Sequence, residues 1–221
     1  MTADRWYGLF PATVRTLAGD PEKRQRIEVS LDWLPRSDGG GPVTAWATVV
    51  SPYAGADQGL RILPEIGSTV VVGFQAGYPD RPYVLGGTWN GTAAMPDEPT
   101  DANDLRVLRT RSGTRLEFDD TPGAVAVRLS VAGPDGPMHR LTLDDAAGTV
   151  TIESASGATI TLDASGGVAV NAASTVDITA AAVNVHAATS TFDGLVTCEG
   201  LVAKGGGVVS PSYTPGVGNV W

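Results

Sequence analysis

The chain has a single cysteine, Cys198, so no intrachain disulfide can staple it, and the apolar alternation around it (LVTCEG) points to a buried, inert thiol. Aromatic residues are nearly missing after Thr92. Only Phe118, Phe192, Tyr213 and Trp221 lie there, against four tryptophans and four tyrosines before it. No apolar run approaches the ~18 residues that a membrane helix needs. The start, MTADRWYGLFPATVR, has no basic region followed by an apolar core, so the expectation is a protein made in the cytoplasm without a signal peptide. Bases are outnumbered, 15 to 24, for a formal charge of -9 and a pI near 4.6. That balance has the wrong sign for electrostatic capture of nucleic acid or of an anionic membrane. The skew deepens along the chain, since Lys204 is the only base after Arg140. Phosphate-cradling loops, Ser-His-Asp sets and zinc spacings are also missing, and the two histidines, His139 and His186, stand far apart. No cofactor or metal is expected.

What is present is turn chemistry and alternation. With 28 glycines and 15 prolines among 221 residues, many short elements are expected, which favours an all-β fold. GLFPATVRTL and RQRIEVSLDWL read as strands joined through the charged turn AGDPEKR. VTAWATVVSP follows, and then STVVVGFQ and RPYVLGGTW, linked by AGYPDRP. About five strands within residues 1–91 is the size of an OB-like barrel. Residues 92–110 are rich in Pro, Asp and Ala and read as a linker.

From Leu141 onward the chain repeats: LTLDDAAG, TVTIESASG, ATITLDASGG, VAVNAAS, TVDITAA, AVNVHAA. Aliphatic residues come in pairs two apart: Val150/Ile152, Ile160/Leu162, Val168/Val170, Val176/Ile178 and Val183/Val185, with Leu141/Leu143 leading. Strands this short bury too little alone and leave both edges open. Units turning this soon cannot wrap a single-chain β-helix. Three chains wound together can close a prism with the ten paired residues on its threefold axis. The expectation is a homotrimer with every edge paired to another chain across a shaft spanning 111–207.

WATVVSPYAG and the run from Arg61 to Gly91, with LPEIGSTVVVGF and GYPDRPYVLGG, resemble the OB-fold domain of contractile-tail spike proteins. These form the baseplate assembly protein V and VgrG family of phages, type VI secretion and phage-tail-like injection systems. DPEKRQRIEVSLDWLP is similar to that family's opening hairpin, and RSGTRLEFDDTPG to the start of its trimeric β-helix. The resemblance implies an N-terminal OB-fold barrel followed by an intertwined triple-stranded β-helix. It further implies a cell-puncturing spike that meets the target envelope transiently. The short stretch before the barrel implies that the baseplate hub is a separate protein. No His-x-His iron motif of the kind that ends some phage spikes occurs. In the tail, 208–221, Val208, Val209, Pro211, Tyr213 and Trp221 are expected to dock a small tip protein of the PAAR-repeat type.

Two other readings carry less. Asp119 with Asp120 and Asp144 with Asp145 are adjacent carboxylates, but neighbours on a strand point apart, and FDDTPG and LDDAAG are turn sequences. No enzyme is expected. The alternative function is a trimeric fibre or adhesin binding surface carbohydrate. It is disfavoured because only about fourteen residues follow Gly207, too few for a receptor-binding head.

Overall fold

The computed structural model of the chain describes residues 5–36, 39–91, 93–133, 136–202 and 204. They fall into two units that meet between Ala173 and Ser174.

The first unit opens with a closed barrel. Its strands are β1 (Leu9–Thr16), β2 (Ile27–Pro35), β3 (Pro42–Val49), β6 (Thr69–Phe74) and β7 (Pro82–Gly87), with the small hairpin β4 (Ala54–Gly55) and β5 (Gln58–Gly59) between β3 and β6. The order is β1-β2-β3-β7-β6, closing back on β1, so no barrel edge stays open. Only β3 and β7 run parallel. Period-2 alternation turns Ala12, Val14, Ile27, Val29, Leu31, Ala47, Val70, Val72 and Val84 inward, where each is buried. Small and β-branched side chains suit so narrow an interior. Three of the N-terminal aromatics, Trp6, Phe10 and Phe74, pack against this core; Phe10 also stacks on Trp33 at 4.7 Å, and Trp6 meets Phe74 edge-on at 5.0 Å. Between β1 and β2, the Asp20 carboxylate accepts hydrogen bonds from the Arg26 guanidinium at 2.8 Å and from the backbone N–H of Arg24 at 2.8 Å. The expected AGDPEKR turn is thus held by a part-buried ion pair.

The same unit continues into a seven-stranded sheet: β8 (Leu105–Arg109), β9 (Arg115–Asp119), β10 (Ala126–Gly133), β11 (Gly136–Asp144), β12 (Thr149–Glu153), β13 (Thr159–Leu162) and β14 (Val168–Asn171). They lie in sequence order, each antiparallel to the next. LRVLR alternates well enough to put β8 inside the stretch whose composition reads as linker.

This arrangement corrects the expectation that every shaft strand pairs with another chain. From Leu105 to Asn171 the interior strands of the sheet pair with their own neighbours. The cause is in the reversals, five of which carry a glycine in the left-handed region: Gly113 at 87°, Gly123 at 77°, Gly148 at 63°, Gly157 at 81° and Gly166 at 84°. A residue in that left-handed region folds a strand straight back on its predecessor.

Among the described residues of the second unit, none lies in a strand. Val176, Ile178, Val183 and Val185 are therefore not in strands here, and all four are exposed. Cys198 is exposed as well, against the expectation of a buried thiol, because its segment has no packed layer of its own chain to sink into.

Candidate functional site

In an antiparallel sheet, directly opposed residues share a face. The register therefore assembles two columns on one face of the meander. The first runs Leu108, Leu116, Leu129, Leu141, Ile152, Ile160, Val170. The second runs Phe118, Val127, Leu143, Val150, Leu162, Val168. Of the ten residues expected at a trimer axis, the structure brings six into this face: Val150, Ile152, Ile160, Leu162, Val168 and Val170. The remaining four lie in the second unit.

The columns are not covered. Leu129 is 41% exposed, Ile152 49%, Leu162 44% and Val168 67%. A large aliphatic side chain left in water forgoes about 1.5–3 kcal/mol relative to full burial. Nine of the thirteen are exposed and the other four are half-buried, so even their partial exposure adds up to a cost comparable to the ~5–15 kcal/mol by which a whole domain is usually stable. Contiguous apolar surface on this scale marks a contact region.

The other face is polar and tied together by ion pairs. Arg128 reaches Glu117 at 2.7 Å and Asp119 at 2.8 Å, and Arg115 pairs with Glu117 and, at 2.9 Å, with Asp97. Farther along, Arg140 meets Glu153 at 3.0 Å. The Arg128 guanidinium, with the hydroxyl and backbone N–H of Thr121, holds the Asp119 carboxyl down to about 2. Asp119 is thus an ion-pair anchor, and Asp144 accepts the Ala147 N–H at 2.9 Å in its turn. The sheet is amphipathic, with one face built for water and the other for burial.

Sequence reading missed the upper part of the columns, Leu108, Leu116, Phe118, Val127 and Leu129. The signal was present in LRVLR, RLEF and AVRLSV, whose alternation continues the later pairs without their regular spacing. His139, read as an ordinary surface or corner residue, is exposed and stands opposite Val131 on the apolar side. The tail residues Val208, Val209, Pro211, Tyr213 and Trp221 lie outside the described residues.

Comparison with known proteins agrees with the barrel. Residues 10–89 match the family described as the type VI secretion system/phage-baseplate injector OB domain. The type VI secretion system spike protein VgrG3 of Vibrio cholerae is 29% identical over 109 residues, 47% of this chain and 11% of that protein. The actin cross-linking toxin VgrG1 of the same species is 28% identical over 113 residues, 49% of this chain and 10% of its own length. The spike protein VgrG2a of Pseudomonas aeruginosa is 30% identical over 109 residues, 47% of this chain and 13% of that protein. The chain thus spans only a small part of these relatives' length, and the shared part is the barrel and what adjoins it. A closed five-stranded OB barrel carrying this similarity, followed by an amphipathic β-meander, makes the N-terminal half of the chain similar to VgrG spike proteins.

Proposed function

We propose that the chain is the central, cell-puncturing spike of a contractile phage tail or phage-tail-like injection system, acting as a homotrimer without catalysis. The observation that carries this reading is the uncovered apolar face of the meander. Three copies of an amphipathic sheet can turn their apolar faces to a common axis and leave three polar, ion-paired faces in water, which satisfies both sides of the sheet at once. The same geometry suits mechanical load. Opening one strand in such a prism exposes apolar surface from three chains, so unfolding is slow.

In this reading the barrel seats the spike on a separate baseplate hub protein. The tail residues Val208, Val209, Pro211, Tyr213 and Trp221 carry a PAAR-type tip, and Val150, Ile152, Ile160, Leu162, Val168, Val170, Val176, Ile178, Val183 and Val185 line the axis. The target envelope is met transiently and nucleic acid is not a partner. The relatives named spike proteins support the spike role, and nothing in them favours a carbohydrate-binding fibre. The test is light-scattering mass after size exclusion, with an unheated SDS gel of the same fraction. A species of about 68 kDa, three times 22.7 kDa, that resists SDS is expected. A monomer of 22.7 kDa sinks the proposal.

A further inference from the structure

The parallel seam of the barrel is its shortest. β3 and β7 share two register pairs, Thr48 with Tyr83 and Val49 with Val84. Beside this seam, between the β1–β2 loop and the turn that joins β6 to β7, lie two cavities of about 310 and 390 Å3. Arg26, Trp46 and Asp80 line both, so the two form one elongated groove. Trp46, Tyr83 and Pro79, all half-buried, give it apolar walls.

Two guanidinium groups of the groove have donors to spare. Arg24 gives Nη1 to Glu22 at 3.1 Å, and among the described residues its other side-chain donors meet no acceptor. Arg81 makes no side-chain hydrogen bond among the described residues, with the Asp80 carboxylate 3.9 Å away and the Tyr78 ring at 5.4 Å. Arg26 differs, since Asp20 and Glu22 occupy its fork.

The loops that carry these residues are held in costly conformations. Lys23 and Gln25, on either side of Arg24, have φ of 56° and 60°, a region that residues with side chains rarely enter. Asp20 pins them there, its Oδ2 accepting the backbone N–H of Arg24 at 2.8 Å and of Arg26 at 3.2 Å. On the facing loop Ala76, next to the groove residue Gln75, has φ of 50°. Strain on both loops that bound one groove sets its side chains in place before a ligand arrives, which lowers the ordering cost of binding.

We propose that this groove takes an extended, acidic segment of a partner protein, with carboxylates on the Arg24 and Arg81 guanidinia and uncharged residues against Trp46 and Tyr83. A guanidinium fork matches a carboxylate bidentately. With Glu22 and Asp80 interspersed, the groove suits carboxylates spaced by uncharged residues and repels a phosphate backbone, which is charged at every nucleotide. The β6–β7 turn lies at one end of its two strands, and the chain leaves for the meander from the other, where Gly87 pairs with Val70. The occupant therefore comes from beyond the barrel and not from the meander of another copy. The inference rests on the spike reading for the partner's identity, the hub, and adds the surface and the chemistry of that contact.

The test uses the full chain and a decapeptide alternating glutamate and proline, read by tryptophan fluorescence and calorimetry. The peptide is expected to bind, more weakly as salt rises, and to lose about tenfold in affinity with Arg24→Gln or Arg81→Gln, as loss of a charged hydrogen bond does. Arg140→Gln, on the polar face of the meander, should leave binding unchanged. Combining Arg24→Glu with Arg81→Glu should exchange the glutamate peptide for one alternating lysine and proline, which shows a folded groove in a variant that has lost its first ligand. No binding of the glutamate peptide, equal binding of a glutamine–proline peptide, or unchanged affinity in both glutamine variants overturns the proposal. So does an oligothymidylate that binds more tightly through the same arginines. Light scattering on the same samples keeps the two readings apart. A monomer that still binds the peptide through Arg24 and Arg81 overturns the spike reading and leaves the groove, and a trimer that does not bind it overturns the groove alone.

Discussion

The barrel and the meander are both built from short alternating strands, yet they settle their apolar residues in opposite ways. Nine of the ten fully buried apolar residues named among the described positions lie in the barrel, and Ala126 is the one in the meander. Closure explains the difference. Five strands that return on themselves enclose an interior, so Val14, Val29 and Val72 are buried by their own chain. Seven strands laid side by side enclose nothing, and Ile152 and Val168 face outward with the same chemistry. A closed sheet completes its core within one chain, and an open amphipathic sheet completes it only in an assembly.

Substitutions in the two regions should therefore fail differently. The largest effect is expected from Ile152→Asp, which puts three carboxylates at the proposed axis. The trimer should be lost, with the scattering mass falling to that of one chain while the aromatic circular-dichroism signal of the barrel persists. Retention of the trimer would mean that the columns are not where the copies meet. Next in size is Leu31→Ala in the barrel, which should destabilise the barrel by about 2–5 kcal/mol in urea titration. Its assembled mass should not change. An equal loss of trimer in both variants would erase the contrast.

A smaller effect separates the two regions by their anchoring carboxylates. Asp20 in the barrel and Asp119 in the meander are both held below the ordinary carboxyl range, chiefly by hydrogen bonds from Arg26 and Arg128 respectively. Each contributes stability that is complete above the unfolded value of 3.8, and Asp119 loses its share as pH falls through about 2. Thermal melts at pH 7 and pH 2.5 should show Asp119→Asn removing part of the acid sensitivity of the assembly and leaving that of the barrel unchanged. The smallest effect is expected at Arg140–Glu153, whose side chains are 43% and 45% exposed. Arg140→Ala should shift stability by less than about 1 kcal/mol, with the shift shrinking further in high salt.

Much of the barrel was legible in the sequence. IEVSL and TVVVGF announce their inward residues by alternation, and the aromatics that pack at the barrel follow from their crowding before Thr92. The apolar face of the meander was half legible. The register puts Val150/Ile152 through Val168/Val170 on one face, while Leu108 escapes because Arg106 stands where its aliphatic pair would be, and Leu116 and Leu129 because the connection between their strands breaks the regular spacing. The partner of each strand was misread up to Asn171. Counting aliphatic pairs weighs the strands and passes over the loops, and Gly113, Gly157 and Gly166 were the residues that carried the answer.

By itself the sequence determined which side of each strand is apolar, because a period of two assigns faces wherever the backbone runs extended. It also determined the acidic charge and the order of barrel before repeats. Only the tertiary structure decided what each strand edge pairs with. A strand's hydrogen-bonding edge is the same backbone whatever its side chains, so the choice of partner falls to the turns, and their left-handed glycines become visible as such only when the backbone is in place.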